Sequence, residues 1–211
     1  GEIVKAIPEA PDPFFQRRRK DRIRDSLSGL NLPKEYLLFV GTLEPRKNLN
    51  VIIEALPKTD CDIPLVIAGW KGWGDKPWLE KVKEYELENR IYKTGYVDEE
   101  ILACLYSGAT ALIFPSFYEG FGLPVLEAMA CGCPVICSSA ASLPEVAGDA
   151  AIYLDPNDPE ELAAAIERVT NDMEVREKLI QAGISRVRQF SWQKTARMTL
   201  KVFEQAKQLH P

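Results

Sequence analysis

The chain has 211 residues, 46% hydrophobic and 27% charged, a composition typical of a globular protein with one large domain or two small ones. The net charge of −5 gives no reason to expect a nucleic-acid partner, and no apolar run is long enough to span a bilayer. The sequence does not begin like a signal peptide, and its five cysteines are an odd number, so we expect a reducing, cytoplasmic location.

Residues 1–34 differ in character from the rest of the chain. The stretch Ile7–Pro13 is rich in proline and cannot form a long helix. It is followed by a basic cluster, Arg17–Lys20 with Arg22 and Arg24. We interpret this cluster as a solvated helix face, which the pattern favours over a phosphate-binding or membrane-binding patch.

Short apolar runs typical of β-strands recur from residue 36 onward, and stretches with helical spacing separate most of them. The strands are predicted at Tyr36–Val40, Leu65–Ala68, Ile91–Thr94, Ala111–Phe114, Pro134–Cys137 and Ala151–Leu154, and the helices at about 49–55, 78–87, 98–107 and 124–130. Wholly apolar strands that alternate with helices indicate a parallel sheet covered on both faces. We therefore predict an α/β, Rossmann-like, doubly wound sheet of about six strands, whose ligand lies at the carboxyl ends of the strands.

The last third of the chain is predicted to be helical. Asp158 followed by Pro159 indicates the start of one helix, a second begins at about Asp172, and a third extends from Ser191 to about Gln208. We expect Gly183 to lie between the second and third helices. In the third helix, one stripe is formed by Trp192, Ala196, Leu200 and Phe203.

The loop after the first strand carries two adjacent cations. The strand is followed by Gly41, which allows a tight turn, and then by Arg46 and Lys47 just before a helix that begins near Asn48. Cations beside a helix N-terminus form an anion site, because backbone amides and side-chain charge act together. The alternative is that both are solvated surface cations.

The stretch from Ser116 to Glu127 follows the fourth strand and combines glycines with two carboxylates. Gly120 and Gly122 allow the backbone to approach a ligand closely. Glu119 lies in the loop and Glu127 one turn into the next helix, an arrangement that suits hydrogen bonds to sugar hydroxyls. The alternative is that Glu119 is solvated and Glu127 only interacts with the helix dipole.

Five stretches, in this order, resemble the C-terminal domain of the retaining GT-B glycosyltransferases of family 4. They read GTLEPRKN, LVIAG, GYVDEEILACLYSGA, PSFYEGFGLPVLEAMACGCPVI and LPEVAGDAAIYLDPNDPEELAAAI, and together they extend over nearly the whole chain from about Tyr36. The pair Glu119 and Glu127, separated by seven residues and flanked by aromatic residues and Gly-Phe-Gly, is similar to the signature of that family.

The resemblance implies transfer of a hexose, mannose or glucose, from a nucleoside-diphosphate sugar with retention. Arg46, Lys47 and Glu119 would be the catalytic residues, the two cations holding the diphosphate and Glu119 the donor sugar. Glu127 would bind the ribose. The implied donor-binding residues are Gly41, Thr42, Arg46, Lys47, Tyr96, Val97, Ser116, Glu119, Gly120, Phe121, Gly122, Leu123 and Glu127. Thr42 stands where relatives often have arginine. The resemblance implies no cofactor and no metal, and the loop from Glu44 to Asn48 slightly favours GDP-mannose over UDP-glucose.

The same resemblance implies a division of the chain into three parts. Residues 1–34 would be the interdomain linker and N-terminal segment, residues 35–190 the nucleotide-sugar-binding domain, and residues 191–211 a helix that packs back toward an N-terminal acceptor domain. That domain is not in this chain, so we expect the chain to bind a nucleoside diphosphate without transferring sugar. The resemblance also allows peripheral association of the full-length enzyme with the inner face of a membrane.

Two alternative functions stay open at this level. A dinucleotide-dependent oxidoreductase domain would need an acid at the end of the second strand, where the chain has Ala68 and Gly69. A non-catalytic domain that senses a nucleotide sugar would have the same fold. Three tryptophans, Trp70, Trp73 and Trp78, form either a lip that stacks on sugars or a packed loop.

Overall fold

The computed structural model describes residues 4–73 and 76–209, and this part of the chain contains a six-stranded sheet. The strands are β1 (Leu37–Val40), β2 (Leu65–Ala68), β3 (Ile91–Gly95), β4 (Ala111–Phe114), β5 (Val135–Ser138) and β6 (Ile152–Leu154). Their order is β3-β2-β1-β4-β5-β6, and each neighbouring pair is parallel. The predicted Rossmann-like fold is confirmed, and each predicted strand end lies within one residue of the observed end.

Helices cover both faces of this sheet, because successive strand residues point to opposite faces and both sets are apolar. In β1, Leu38 and Val40 belong to the core on one face, and Leu37 and Phe39 to the core on the other. The helices of the described part are α1 (Lys20–Leu27), α2 (Leu49–Ala55), α3 (Lys76–Glu84), α4 (Glu99–Gly108), α5 (Leu123–Ala130), α6 (Leu143–Ala147), α7 (Pro159–Asn171), α8 (Met173–Val187) and α9 (Trp192–Leu209). Helices α4, α5 and α6 pack in the first core, and α2, α3 and α7 pack in the second.

Gly183 corrects the prediction for the C-terminal helices. It lies inside α8 rather than between two helices, and it is buried where α8 crosses α5. A Cβ at this position would lie 3.0 Å from Cγ of Met129, so the glycine serves close helix packing and not chain reversal. Helix α6 was not predicted. Helix α3 ends earlier than expected, because Glu86 adopts a left-handed conformation with φ 54° shortly after it.

The N-terminal segment packs against the sheet domain. Ala10 and Phe15 are buried, and the hydroxyl of Thr195 in α9 donates a hydrogen bond to the carbonyl of Pro8 at 2.6 Å. The basic cluster continues into α1, in which no residue is buried, as expected for a solvated helix face. Residues 1–3 and 210–211, at the ends of the predicted terminal segments, lie outside the described residues. In the part that is described, none of the helices combines the length and the apolarity needed to cross a membrane.

Candidate functional site

The loops after β1 and β4 meet at the carboxyl edge of the sheet, where the strand order changes direction. The backbone N–H of Phe117 donates to the carbonyl of Arg46 at 2.8 Å and joins the two loops. The buried side-chain amide of Asn48 donates to the carbonyls of Pro115 at 3.2 Å and Pro156 at 2.6 Å, which adds the loop after β6. Doubly wound sheets bind ligands at such a point, and we call the space above these loops the crevice.

A compact ion cluster lies in the crevice. The carboxylate of Glu119 accepts hydrogen bonds from Nζ of Lys47 at 2.7 Å and from the guanidinium of Arg46 at 3.0 Å. Arg46 also pairs with Glu44 at 2.6 Å, and Nζ of Lys47 lies 4.8 Å from the ring centroid of Phe114. Lys47 and Glu119 are each 7% exposed, so their interpretation as solvated charges is wrong, whereas the side chain of Arg46 stays 44% exposed.

The loop that carries Glu119 is held in one shape by hydrogen bonds and by a glycine. The hydroxyl of Ser142 lies 3.0 Å from the carbonyl oxygen of Glu119 and 2.9 Å from that of Phe121. Gly122 lies directly before α5, and its own φ is 106°. A Cβ at this position would lie 2.8 Å from the side chain of Leu143. A side chain at position 122 would therefore be strained by the positive φ, and the side chain of Leu143 would have to shift.

The second carboxylate, Glu127, has different partners from Glu119. It is half-buried in α5, and its carboxylate accepts a hydrogen bond at 3.1 Å from the hydroxyl of Tyr106 in α4. Burial raises the pKa of the Glu127 carboxyl above its ordinary value, and the hydrogen bond from Tyr106 opposes that rise. The two carboxylates thus stand in separate environments, one neutralised by cations and one supported by a tyrosine.

The loop after β2 lies directly against the loop after β1. Gly69 has φ 145°, and a Cβ there would collide with the carbonyl oxygen of Gly41. The ring of Trp70 stacks on the ring of Tyr96 with 4.9 Å between centroids, and both side chains are exposed. Trp78 is only 5% exposed and belongs to the core, so the sugar-stacking lip is wrong for this tryptophan.

The other predicted donor-binding residues differ in their exposure to solvent. Ser116 is fully buried, and its hydroxyl finds no hydrogen-bond partner within the described residues. Val97 and Phe121 pack partly against the core, Phe121 edge-on to Phe190 at 6.1 Å. Thr42 and Gly120 are exposed, whereas Gly41 and Leu123 are partly buried.

Three residues of the site were not found from the sequence. Asn48 joins three loops, Ser142 fixes the loop of Glu119, and Tyr106 supports Glu127. The left-handed conformation of Asn48, with φ 56°, suits asparagine, and its place before α2 was the available signal. Nothing in the sequence around Tyr106 or Ser142 indicated their partners, which lie about twenty residues away in the chain.

The site offers cations, carboxylates and hydroxyls. Over residues 4–73 and 76–209, no group of three or more His, Cys, Asp and Glu side chains is arranged to hold a metal ion. The five cysteines all lie in these ranges and are reduced. Burial raises the pKa of Cys131 and Cys137 to about 12, so these thiols stay protonated at neutral pH.

The fold and this crevice define a Rossmann-like α/β domain with a charged site at the switch point of its sheet. Residues 21–186 match the family described as Glycosyl transferases group 1, and the chain belongs to that family. The predicted GT-B family assignment is thus confirmed.

The chain is also similar to proteins named as mannosyltransferases. The chain is 42% identical over 173 residues to an O-antigen chain mannosyltransferase B of Escherichia coli, an alignment that covers 80% of this chain and 45% of that protein. It is 30% identical over 209 residues to an MMP alpha-(1->4)-mannosyltransferase of Mycolicibacterium hassiacum, covering 97% of this chain and 49% of the relative. The chain thus spans less than half the length of these curated relatives.

Solved structures have the same fold. A sucrose-phosphate synthase from Thermosynechococcus elongatus superposes with a TM-score of 0.79 at 29% identity, over 96% of this chain and 52% of that one. The C-terminal domain of a glycosyl transferase group 1 family protein from Francisella tularensis superposes with a TM-score of 0.73 at 25% identity, over 85% of this chain and 97% of that one.

Proposed function

We propose that this chain is the donor-binding part of a retaining glycosyltransferase of family 4 that transfers a hexose from a nucleoside-diphosphate sugar. The observation that carries the proposal is the cluster of Arg46, Lys47 and Glu119 at the switch point of the sheet. Membership of the group 1 family and relatives named as mannosyltransferases support it.

In this proposal the two cations hold the donor diphosphate. Nζ of Lys47 is buried, and a charge in a poorly hydrated site interacts more strongly with a phosphate than it would in water. Arg46 is more exposed, and its planar guanidinium can bind two phosphate oxygens at once. As the bond to the donor sugar breaks, both cations stabilise the negative charge that develops on the leaving diphosphate.

The rest of the donor is assigned along the crevice. Glu119 accepts hydrogen bonds from hydroxyls of the donor sugar, and Glu127 accepts them from the ribose. The backbone amides of residues 120–123 and the turn at Gly41 and Thr42 meet the phosphates and the sugar, with Ser116 beneath them. Tyr96 and Val97, at the end of β3, lie against the base.

For the donor itself we favour GDP-mannose over UDP-glucose. The relatives named as mannosyltransferases support mannose. UDP-glucose is the alternative, because a solved structure of Anabaena HepE with the same fold is described in complex with it. We propose no cofactor and no metal, because Arg46 and Lys47 supply the positive charge that the diphosphate needs. The acceptor is unassigned.

The division of the chain follows from the same proposal. We assign residues 1–34 to the interdomain linker, 35–190 to the donor-binding domain and 191–211 to a helix that returns to an acceptor-binding half preceding this chain. The coverage of less than half of each of the two named mannosyltransferases supports such a partner domain. We propose that the enzyme is cytoplasmic and that it can attach peripherally to the inner face of a membrane.

Two experiments separate this function from its alternatives. Calorimetry of the chain with UDP, GDP and ADP is expected to detect binding of at least one, and no binding to any at millimolar concentration would contradict the proposal. A non-catalytic sensing domain is distinguished by the longer enzyme, whose sugar transfer is expected to fall when Glu119 is replaced by glutamine. An oxidoreductase domain lacks support, since β2 ends at Ala68 without a following acid.

The Lys47→Ala variant tests the role of the cluster. We expect it to weaken binding of the nucleoside diphosphate by about 1.5–3 kcal/mol, the contribution of a charged hydrogen bond. The matched control is Lys58→Ala, which removes a lysine that pairs with Glu160 on the surface at 2.7 Å. An equal affinity for both variants and the wild type would mean that the β1 loop does not bind phosphate.

A further inference from the structure

Glu127 depends on one tyrosine for its hydrogen bonding. Within the described residues, its carboxylate accepts a single hydrogen bond, from the hydroxyl of Tyr106 to Oε2 at 3.1 Å. The other oxygen, Oε1, has no hydrogen-bond partner among these residues. A half-buried carboxylate with one fixed oxygen and one free oxygen is suited to accept hydrogen bonds from a diol.

Tyr106 is itself held rigidly. It is fully buried in α4, and its ring lies edge-on to the ring of Phe15 with centroids 6.1 Å apart and planes at 74°. Because the ring is enclosed on all sides, the position of its hydroxyl oxygen is set by the fold. A buried tyrosine hydroxyl needs a hydrogen-bond partner, and Glu127 is that partner.

The other groups that face Glu127 oppose its ionisation. Burial has the largest effect and raises the pKa of its carboxyl, and Glu99 at the start of α4 and Asp12 of the N-terminal segment raise it further. Cys131, the residue directly after α5, is a protonated thiol. The hydrogen bond from Tyr106 is the contribution that lowers the pKa of Glu127, because it stabilises the carboxylate form.

We propose that Tyr106 is the positioning residue of the ribose subsite, where its hydroxyl holds the carboxylate of Glu127 in the orientation that accepts hydrogen bonds from the ribose hydroxyls. The inference rests on the proposed function, in which Glu127 binds the ribose. Tyr106 does not touch the nucleotide and acts through Glu127. Phe15 extends this arrangement to the N-terminal segment, which packs behind the tyrosine ring.

The test is Tyr106→Phe in the 211-residue chain, which keeps the ring and removes the hydroxyl. We expect the affinity for GDP or UDP to fall about fivefold, the effect of one lost hydrogen bond. Binding of pyrophosphate, which has no ribose, is expected to stay unchanged. The decline of nucleotide affinity toward acid pH is expected to begin at higher pH in the variant, since the pKa of Glu127 rises without its donor.

Two further variants make the test specific. Tyr36→Phe is the matched control, because Tyr36 is also buried and donates its hydrogen bond to the carbonyl of Leu105 at 2.9 Å. It is expected to leave both the affinity and the pH profile unchanged. In a chain that already carries Glu127→Gln, adding Tyr106→Phe is expected to weaken nucleotide binding no further, because the two residues act as one unit.

The outcomes separate the inference from the function on which it rests. An unchanged nucleotide affinity in Tyr106→Phe, or an equal loss for pyrophosphate, would overturn the role of Tyr106 while leaving the donor site standing. Unfolding of Tyr106→Phe but not of Tyr36→Phe would assign Tyr106 a purely structural role, and would also overturn its proposed role in positioning Glu127. Failure of the wild-type chain to bind UDP, GDP or ADP would overturn the proposed function itself.

Discussion

The carboxylate of Glu119 lies beside two cations, in the position that a bound anion would otherwise take. Its carboxylate bridges Lys47 and Arg46 at 2.7 and 3.0 Å, and both it and Lys47 are shielded from water. A lysine buried to this extent is stable as a cation only if a negative charge accompanies it. In the proposed function, a donor diphosphate would take over that compensation, and the carboxylate of Glu119 would turn to the sugar.

Replacement of Glu119 by glutamine therefore has an expected effect on stability as well as on transfer. Without ligand, Glu119→Gln leaves the charge of Lys47 buried and unpaired, and we expect the free energy of unfolding to fall by about 3 kcal/mol. Pyrophosphate is expected to restore much of this loss, because it supplies an anion at the same place. Denaturant unfolding with and without pyrophosphate measures both effects.

The control for Glu119→Gln is Glu160→Gln, which removes the exposed pair between Glu160 and Lys58. An exposed pair of this kind contributes at most about 1 kcal/mol. If both variants lost the same small amount, and pyrophosphate stabilised neither more than the wild type, the cluster around Lys47 would not depend on a compensating anion.

The site could be predicted from the sequence only where its residues follow strands. Arg46, Lys47 and Glu119 were expected to share one crevice because parallel strands bring their exit loops to one edge, and the contacts between them confirm that expectation. The bond between Tyr106 and Glu127 could not be predicted, because it depends on how α4 packs beside α5. Helix periodicity predicts a buried face and gives no register between two helices.

At the scale of elements, α1 shows how a helix without a buried face is held. Its neighbour is α4, where Glu100 pairs with Arg22 of α1 at 2.7 Å and with Arg18, just before α1, at 3.0 Å. The hydrogen bond from Arg22 lowers the pKa of the Glu100 carboxyl below its ordinary value, with help from the charge of Arg18. The basic cluster is thus a solvated face that is partly neutralised by the next helix.

Glu100→Gln tests this attachment through its pH dependence. A carboxyl with a lowered pKa in the folded state stabilises the fold above its unfolded pKa and loses that effect as pH falls through the folded pKa. We expect the variant to be less stable than the wild type at neutral pH by at most about 1 kcal/mol, since the pairs are partly exposed. Below the lowered pKa of Glu100 the two stabilities are expected to converge, as urea unfolding at several pH values would measure.

The control is Asp21→Asn in α1, which removes the exposed pair between Asp21 and Arg19. It is expected to change stability less than Glu100→Gln, because Asp21 does not connect α1 to another element. A difference between Glu100→Gln and the wild type that persisted at acid pH would mean that the glutamate acts by packing and not by charge.

Helix boundaries were predictable where local chemistry marks them. Asp158 caps α7 by accepting from the backbone N–H groups of Glu160 and Glu161, as its place before a proline indicated. Gly183 misled the prediction, because a glycine in a sequence is compatible with both a turn and a close crossing of helices. The burial of Gly183 against Met129 shows that this glycine serves the crossing of α8 and α5. That contact joins residues far apart in the chain, so the sequence alone does not reveal it.

At the scale of the whole molecule, the fold follows from the alternation of apolar strands and helices, which needs no long-range information. The pattern also leaves one surface unexplained. In α9, Trp192, Leu200 and Phe203 are exposed by 46%, 58% and 65%. The chain spans less than half the length of the two named mannosyltransferases, so we propose that this stripe packs against the acceptor-binding half assigned above.

The double substitution Leu200→Ser and Phe203→Ser tests that proposal by comparing two proteins. In the 211-residue chain the side chains gain little from burial, and we expect the free energy of unfolding to change by less than about 0.5 kcal/mol. In the longer enzyme, burial of each side chain against the preceding half would contribute about 1.5–3 kcal/mol, and the same substitutions are expected to destabilise the protein by an amount on that scale. Lys201→Ser, at an exposed neighbouring position, is expected to have little effect in either protein. A small effect of the double substitution in both proteins would mean that the stripe faces water in the whole enzyme as well, and the assignment of residues 191–211 to the interdomain contact would fail.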